Sequence, residues 1–75
     1  MYIIQEIQTN NGSSALTPAT QKTDWNEAQS VYHTALAAAA ISSVQIHTVI
    51  CIDEYGNHQF GSPQFYTHMP EVVEG

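Results

Sequence analysis

The first residues of the chain are strand formers whose apolar side chains fall on both faces of a strand, Tyr2 and Ile4 on one face and Ile3 and Ile7 on the other. A first strand is predicted from Tyr2 to Thr9. It ends before the dipeptide Asn11-Gly12, whose residues both tolerate the positive φ angles of a tight turn. Residues 13–20 predict a short returning strand, which Pro18 restricts to a sheet edge or a loop.

The longest alternating segment runs from Val44 to Asp53 and predicts the strongest strand. We expect one face to pack against a helix, namely Val44, Ile46, Thr48, Ile50 and Ile52. The other face is half apolar and consists of Gln45, His47, Val49, Cys51 and Asp53. We expect this second face to be buried in an assembly or to line a ligand pocket.

Between these strands the apolar residues recur with the period of an α-helix, predicted to begin at Thr23 or Asp24 and to run to about Ile41. Asp24 and Glu27 have the spacing of a capping box, and the helix dipole favours both acids there. The predicted buried stripe is Trp25, Ala28, Tyr32, Ala35, Leu36 and Ala39. The predicted exposed side is Asn26, Ser30, His33, Thr34 and Ala37.

The last third of the chain predicts a hairpin that turns at residues 53–57, with Gly56 in the left-handed conformation. Residues 58–60 are predicted to return as a strand, and residues 64–68 to continue it after a bend. The pattern therefore predicts an α+β fold, with one helix packed on a small, mostly antiparallel sheet in the order β(β)αββ. Residues 1–68 are predicted to form this single domain, and residues 69–75 a flexible acidic C-terminal tail.

The chain has few charged residues, and most of them are acidic. The net charge is -6 and Lys22 is the only lysine or arginine, which argues against sequence-independent nucleic-acid binding and against anionic membrane surfaces. Only 11% of the residues are charged and 43% are hydrophobic, too little charge to cover a free monomer well. We therefore expect a homo-oligomer. The single cysteine excludes an internal disulfide and favours a reducing compartment.

The candidate chemistry rests on histidines and the lone cysteine. His47 and Cys51 lie about 13 Å apart along a straight strand, so one metal ion cannot bind both, and no metal-binding motif supports a site. We expect no catalytic residues and no cofactor, and we interpret Cys51 as a core residue. A buried His47 without an acidic neighbour would weaken an assembly below about pH 6.5. The predicted ligand-binding or interface residues are Gln45, His47, Cys51, His58, Tyr66 and His68.

The chain resembles a group of short proteins encoded by phages and prophages of gut Firmicutes. The residues that carry the resemblance are Met1-Tyr2-Ile3-Ile4-Gln5, residues 35–43, His47-Thr48-Val49 and residues 53–57. The similarity is one of overall pattern and includes no catalytic motif. It implies a phage origin and assigns a role to no residue.

These observations predict a small, non-enzymatic, phage-encoded binding protein that acts as a homo-oligomer in the cytoplasm of a bacterial host. Such a protein would counter host defences by sequestering a small signalling nucleotide or by blocking a host protein. The lack of arginine and the single lysine disfavour the nucleotide. The alternatives are a structural or accessory protein of the phage particle and, last, a small enzyme.

Overall fold

The computed structural model describes residues 1–68, in which one helix lies on a five-stranded antiparallel sheet. This confirms the predicted α+β fold with one helix on an antiparallel sheet. The predicted tail, residues 69–75, lies outside the described residues. The elements are β1 (Tyr2–Asn10), β2 (Ser13–Leu16), β3 (Thr20–Lys22), α1 (Trp25–Ala40), β4 (Ile46–Asp53) and β5 (Gln64–Thr67).

The sheet is built around the pair β1 and β4, in the order β2-β1-β4-β5. β1 pairs with β4 from Tyr2 opposite Asp53 to Thr9 opposite Ile46. The outer edge of β1 pairs with β2 at one end and with β3 at the other. The predicted single returning strand is therefore two short ones, because Pro18 falls in the break between them and cannot donate a ladder hydrogen bond.

The tight turn between β1 and β2 has the predicted conformation. Asn11 and Gly12 have φ angles of 53° and 79°, as a two-residue hairpin turn requires. Gln45 attaches this turn to the start of β4. Its side-chain oxygen accepts from the Asn11 N–H at 2.9 Å, and its own N–H donates to the side chain of Asn10 at 3.0 Å.

The helix begins and ends close to the predicted residues. Asp24 is the N-cap, and its carboxylate accepts a hydrogen bond from the Glu27 N–H at 2.9 Å. The residues of α1 that are buried are Ala28, Tyr32, Leu36 and Ala39. Trp25, predicted in the same stripe, is 50% exposed because it is the first helical residue and lies at the margin, against the ring of Phe60.

The face of β4 that packs on the helix is the opposite of the predicted one. His47, Val49 and Cys51 lie buried beneath α1, whereas the Ile46 face points away from it. The physical reason is fit: Tyr32 is the largest fully buried side chain, and it lies over a face whose apolar residues are the smaller Val49 and Cys51. The prediction that the Ile46 face meets the helix is therefore wrong.

The connection from β4 to β5 is a structured loop rather than the predicted strand at residues 58–60. Only one β-bridge, between Ile52 and His58, forms there. At the turn, the Asp53 carboxylate accepts from the backbone N–H groups of Asn57 and Tyr55. The bond from Asn57 contributes most, and together these bonds hold the pKa of Asp53 below its usual value, against the opposing effect of desolvation.

The end of this loop carries Phe60 at a φ angle of 58°, a left-handed conformation that is uncommon outside glycine. The ring contacts three other aromatic rings, with centroid distances of 5.5 Å to Trp25 and 6.0 Å to both Tyr2 and Tyr32. This packing offsets the backbone strain. Tyr55 and Phe65, by contrast, are exposed.

The core contains one unsatisfied polar group. The Tyr32 hydroxyl is buried and has no hydrogen-bond partner among the described residues. Burial, with a smaller effect from the nearby Cys51 thiol, raises the pKa of Tyr32. Desolvating a hydroxyl without a partner costs about 1–3 kcal/mol, so the ring stabilises the core while its hydroxyl opposes folding.

Two substitutions beneath the helix should therefore have opposite effects on the free energy of unfolding. Leu36→Ala should lower it by about 2–5 kcal/mol, because it leaves a cavity against the sheet. Tyr32→Phe should leave it unchanged or raise it, because the unpaired hydroxyl is removed. Ser30→Ala, on the exposed side, is the control and should change it by less than about 0.5 kcal/mol. Urea unfolding measures all three, and a large loss for Tyr32→Phe would show that the hydroxyl has a partner.

Candidate functional site

Two features stand out from the rest of the fold. The first is a group of polar side chains at the C-terminal end of α1, here called the helix-end cluster: Glu6, Ser42, His47 and His68. The second is the sheet face turned away from α1, here called the open face. The cluster is the place where catalysis would reside, and the open face is the place where a partner would bind.

A chain of hydrogen bonds runs through the helix-end cluster. His47 Nε2 lies 2.5 Å from a carboxylate oxygen of Glu6, and His47 Nδ1 lies 2.9 Å from the Ser42 hydroxyl. A carboxylate only accepts, so Nε2 carries the proton, and in the neutral ring Nδ1 then accepts from Ser42. His47 is thus buried with an acidic neighbour. The sequence-based expectation that assembly weakens below about pH 6.5 required a buried His47 without an acidic neighbour. Glu6 is such a neighbour, so this requirement is not met.

Glu6, His47 and Ser42 are the components of a serine nucleophile with its base and orienting carboxylate, but their surroundings oppose that chemistry. Acyl transfer by serine places negative charge on an oxyanion, which needs N–H donors. Ser42 lies instead at the negative end of the α1 dipole. The backbone N–H groups of Ile41 and Ser42 donate to helix carbonyls at 3.3 Å and are not available to an oxyanion.

His68 joins the end of α1 to the segment before β4. Nδ1 lies 2.7 Å from the carbonyl oxygen of Val44, and Nε2 lies 3.0 Å from that of Ala40. Carbonyl oxygens only accept, so both bonds form together only when both ring nitrogens carry protons. The bonds to Val44 and then Ala40 raise the pKa of His68, against a small opposing effect of burial.

Four of the six predicted site residues lie at this end of the sheet. Tyr66 is the register partner of His47, and the His68 N–H donates to the Gln45 carbonyl at 2.7 Å. The side chains of Gln45, His47 and His68 are all engaged in hydrogen bonds within the fold. Tyr66, which is partly exposed, is the one of these four free to contact another molecule.

The other two predicted residues lie elsewhere and also serve the fold. Cys51 is fully buried, and burial raises the pKa of its thiol, which disfavours the thiolate that a nucleophile requires. The Ser62 hydroxyl donates to the Cys51 carbonyl at 2.7 Å, so His58 Nδ1, 2.8 Å away, donates to Ser62. A ligand-binding role for the six residues remains a prediction.

Within residues 1–68, no three His, Cys, Asp or Glu side chains lie close enough together to hold a metal ion. In the same part of the chain, no helix has the length and apolar character needed to cross a membrane.

The open face is defined by the strand register, because directly paired residues point to the same side of a sheet. The pairs Ile3–Ile52, Gln5–Ile50, Ile7–Thr48 and Thr9–Ile46 belong to it. The edge strands add Ser14, Leu16, Gln21, Phe65 and Thr67. α1 covers the other side, and no described element covers the open face.

The open face carries no charged side chain. Its apolar residues are Ile3, Ile7, Leu16, Ile46, Ile50, Ile52 and Phe65, and the others are uncharged polar residues. Leu16 and Phe65, near its margins, are each 63% exposed, and Ile46 is also exposed. Of the acids among residues 1–68, Glu6 and Asp53 lie on the helix side, and the others lie at the start of α1 and in the turn after β4. Lys22 pairs with Tyr2, also on the helix side. An exposed surface with many apolar and no charged side chains is typical of a protein–protein interface.

Sequence reasoning missed Glu6 and Ser42 in the cluster, and it expected the helix to cover the other face of β4. Glu6 is the charged residue among the inward positions of β1, and Ile4 precedes it by two residues on the same face. An acid at an inward strand position, with a histidine at an inward position of another strand, is a signal for a buried pair. The strand register needed to combine them comes only from the fold.

Comparison of the chain with family profiles, with curated proteins and with solved structures finds no match. The candidate sites therefore rest on the geometry described above.

The His68 bonds predict a pH-dependent contribution to stability. A raised pKa means that the folded state holds the proton more tightly, so the contribution is complete below the ordinary imidazole value of 6.5. It is lost as the pH rises through the raised value. The difference in free energy of unfolding between the wild type and His68→Ala should thus be largest below pH 6.5 and shrink above it.

Urea unfolding across this pH range measures the difference, and His33→Ala, on the exposed side of α1, controls for the loss of one histidine. The prediction of a doubly protonated ring would be contradicted if the difference in free energy of unfolding between wild type and His68→Ala stayed constant or grew with rising pH.

Proposed function

We propose that this chain is a non-enzymatic binding protein that works as a homo-oligomer. The observation that carries the proposal is the open face, an uncharged surface that exposes several isoleucines, on a chain with few charges. A surface of this kind costs free energy while water covers it, and it is stabilised when another protein surface covers it. The face supplies contact area and no reactive groups, which supports binding rather than catalysis.

The helix-end cluster is the observation that favours an enzyme. The geometry of the cluster, however, argues against catalysis. The hydroxyl of Ser42 is hydrogen-bonded to His47, which is hydrogen-bonded to Glu6. Ser42 lies, however, at the negative end of the α1 dipole, which disfavours an oxyanion. The fold uses these polar groups to join β1, β4 and the end of the helix. We therefore favour a structural role for the cluster and a binding role for the open face.

The resemblance to phage and prophage proteins supports a setting in the cytoplasm of a bacterial host, in opposition to a host defence. Of the two binding modes, blocking a host protein agrees better with the surface than sequestering a signalling nucleotide. Nucleotide phosphates need cations or free N–H groups, and Lys22, the only lysine, is half-buried on the helix side of the sheet. An accessory role in the phage particle would use the same apolar face.

The proposal predicts that the purified chain is not a monomer. Light scattering after size-exclusion chromatography, at micromolar concentration and neutral pH, should give a multiple of the chain mass of 8.3 kDa. The mass should be retained in moderate salt, because the open face carries no charges for salt to screen. A mass of 8.3 kDa under these conditions would contradict the homo-oligomer.

A further inference from the structure

The geometry points to a specific occupant of the open face: a second copy of this chain, packed sheet against sheet about a two-fold axis. This inference rests on the proposed function and adds the surface and the symmetry of the contact. In the resulting dimer the β4 strands of the two copies face each other at the centre, and the two helices lie on the outside. Two sheets packed in this way form a β-sandwich about 10 Å thick between sheets.

Charge placement favours a second copy in this orientation. The chain has a net charge of -6, so two copies repel each other wherever their acidic surfaces meet. The open face is the side of the sheet on which the register places only uncharged side chains. Copies that meet there keep the acids of α1 and of the turn after β4 away from the contact.

The area of the open face is close to what a specific dimer needs. β4 has eight residues, which at about 3.4 Å per residue gives a length of roughly 27 Å. At about 4.8 Å per strand, β1, β4 and the outer pair β2 and β3 give roughly 14 Å across, and β5, with four residues, adds one strand width over half the length. The flat area is therefore roughly 450 Å² per copy, or about 900 Å² for two copies. The side chains project from this plane, so the accessible area is larger than the flat area and approaches the lower bound of about 1,000 Å² for a specific interface.

The polar side chains of the open face tolerate burial, because several already have partners. The Gln5 side chain donates to the carbonyl of Thr17 at 2.9 Å, and the hydroxyls of Thr9 and Ser14 are hydrogen-bonded at 2.7 Å. Thr48 lies near the middle of the face, where a two-fold axis brings it close to its own copy. Covering the face thus leaves few polar groups unpaired.

The other exposed part of the sheet, the edge of β5 that pairs with no strand among residues 1–68, is a weaker contact. In an antiparallel ladder, hydrogen-bonded pairs alternate with pairs that are not hydrogen-bonded to each other. Gln45 and His68 form a hydrogen-bonded pair, so Phe65 and Thr67 belong to the other kind. Their backbone N–H groups therefore point away from β4, toward the outer edge of the sheet. β5 has only four residues, so pairing of two such edges forms few hydrogen bonds. The open face buries more apolar surface, and we assign the contact to it.

Three lysine substitutions test the assignment by sedimentation over a range of concentrations. Ile50→Lys and Thr48→Lys each place a charge on the open face, and both should weaken the dimer by about 100-fold or more, since like charges face each other across the two-fold axis. Thr48 is already polar, so Thr48→Lys removes no apolar packing from the folded chain. Ile41→Lys is the matched control at a residue that is 89% exposed at the end of α1, and it should leave the dimer unchanged.

Circular dichroism checks that each variant is folded, and Gln64→Lys, which places a charge at the edge of β5 on an exposed residue outside the open face, tests the edge. A wild-type dimer that survives both open-face substitutions, or that dissociates only with Gln64→Lys, overturns the face-to-face assignment and leaves the homo-oligomer standing. A monomeric wild type overturns both. Dissociation by Ile50→Lys and Thr48→Lys, with Ile41→Lys and Gln64→Lys still dimeric, supports the sandwich.

Discussion

The structure depends on one constraint: the sheet carries apolar residues on both faces, and α1 covers only one of them. α1 has sixteen residues and buries one side of β1 and β4, where Ile4, Val49 and Cys51 pack under Tyr32 and Leu36. β4 carries apolar residues on both sides, so the choice of which side the helix covers leaves the other as the open face. A domain of this size has a small core, and the surface it leaves uncovered is large in comparison.

The polar side chains that looked most reactive in the sequence serve to hold this arrangement together. His47 links Ser42 to Glu6, His58 supports the Ser62 hydroxyl, and His68 joins α1 to the start of β4. Each of these imidazoles contacts backbone or side-chain groups of the domain itself. We therefore assign the proposed binding function to the open face.

Much of the architecture follows from local signals in the sequence. Asp24 and Glu27 mark the start of α1, Asn11-Gly12 marks the first turn, and strand periodicity identifies β1 and β4. These features depend on neighbours in the chain, so pattern alone predicts them. The helical periodicity of α1 predicts a buried Tyr32 and Leu36, which the structure confirms.

The orientation of β4 could not be predicted, because it depends on contacts between distant residues. Both of its faces are apolar enough to meet a helix, and the selection comes from the fit of Tyr32 over Val49 and Cys51 and from the Glu6 partner of His47. The left-handed Phe60 is equally non-local, since its ring is held by aromatic residues far away in the chain.

The central claim, that the open face is buried against a second copy, is tested most directly by nuclear magnetic resonance on a mixture of isotope-labelled and unlabelled chains. Isotope-filtered experiments detect contacts between copies only. The account predicts intermolecular contacts from the methyl groups of Ile7 and Ile50, and none from Ile41 at the end of α1. Intermolecular contacts confined to α1 or to the edge of β5, with Ile7 and Ile50 silent, would contradict it.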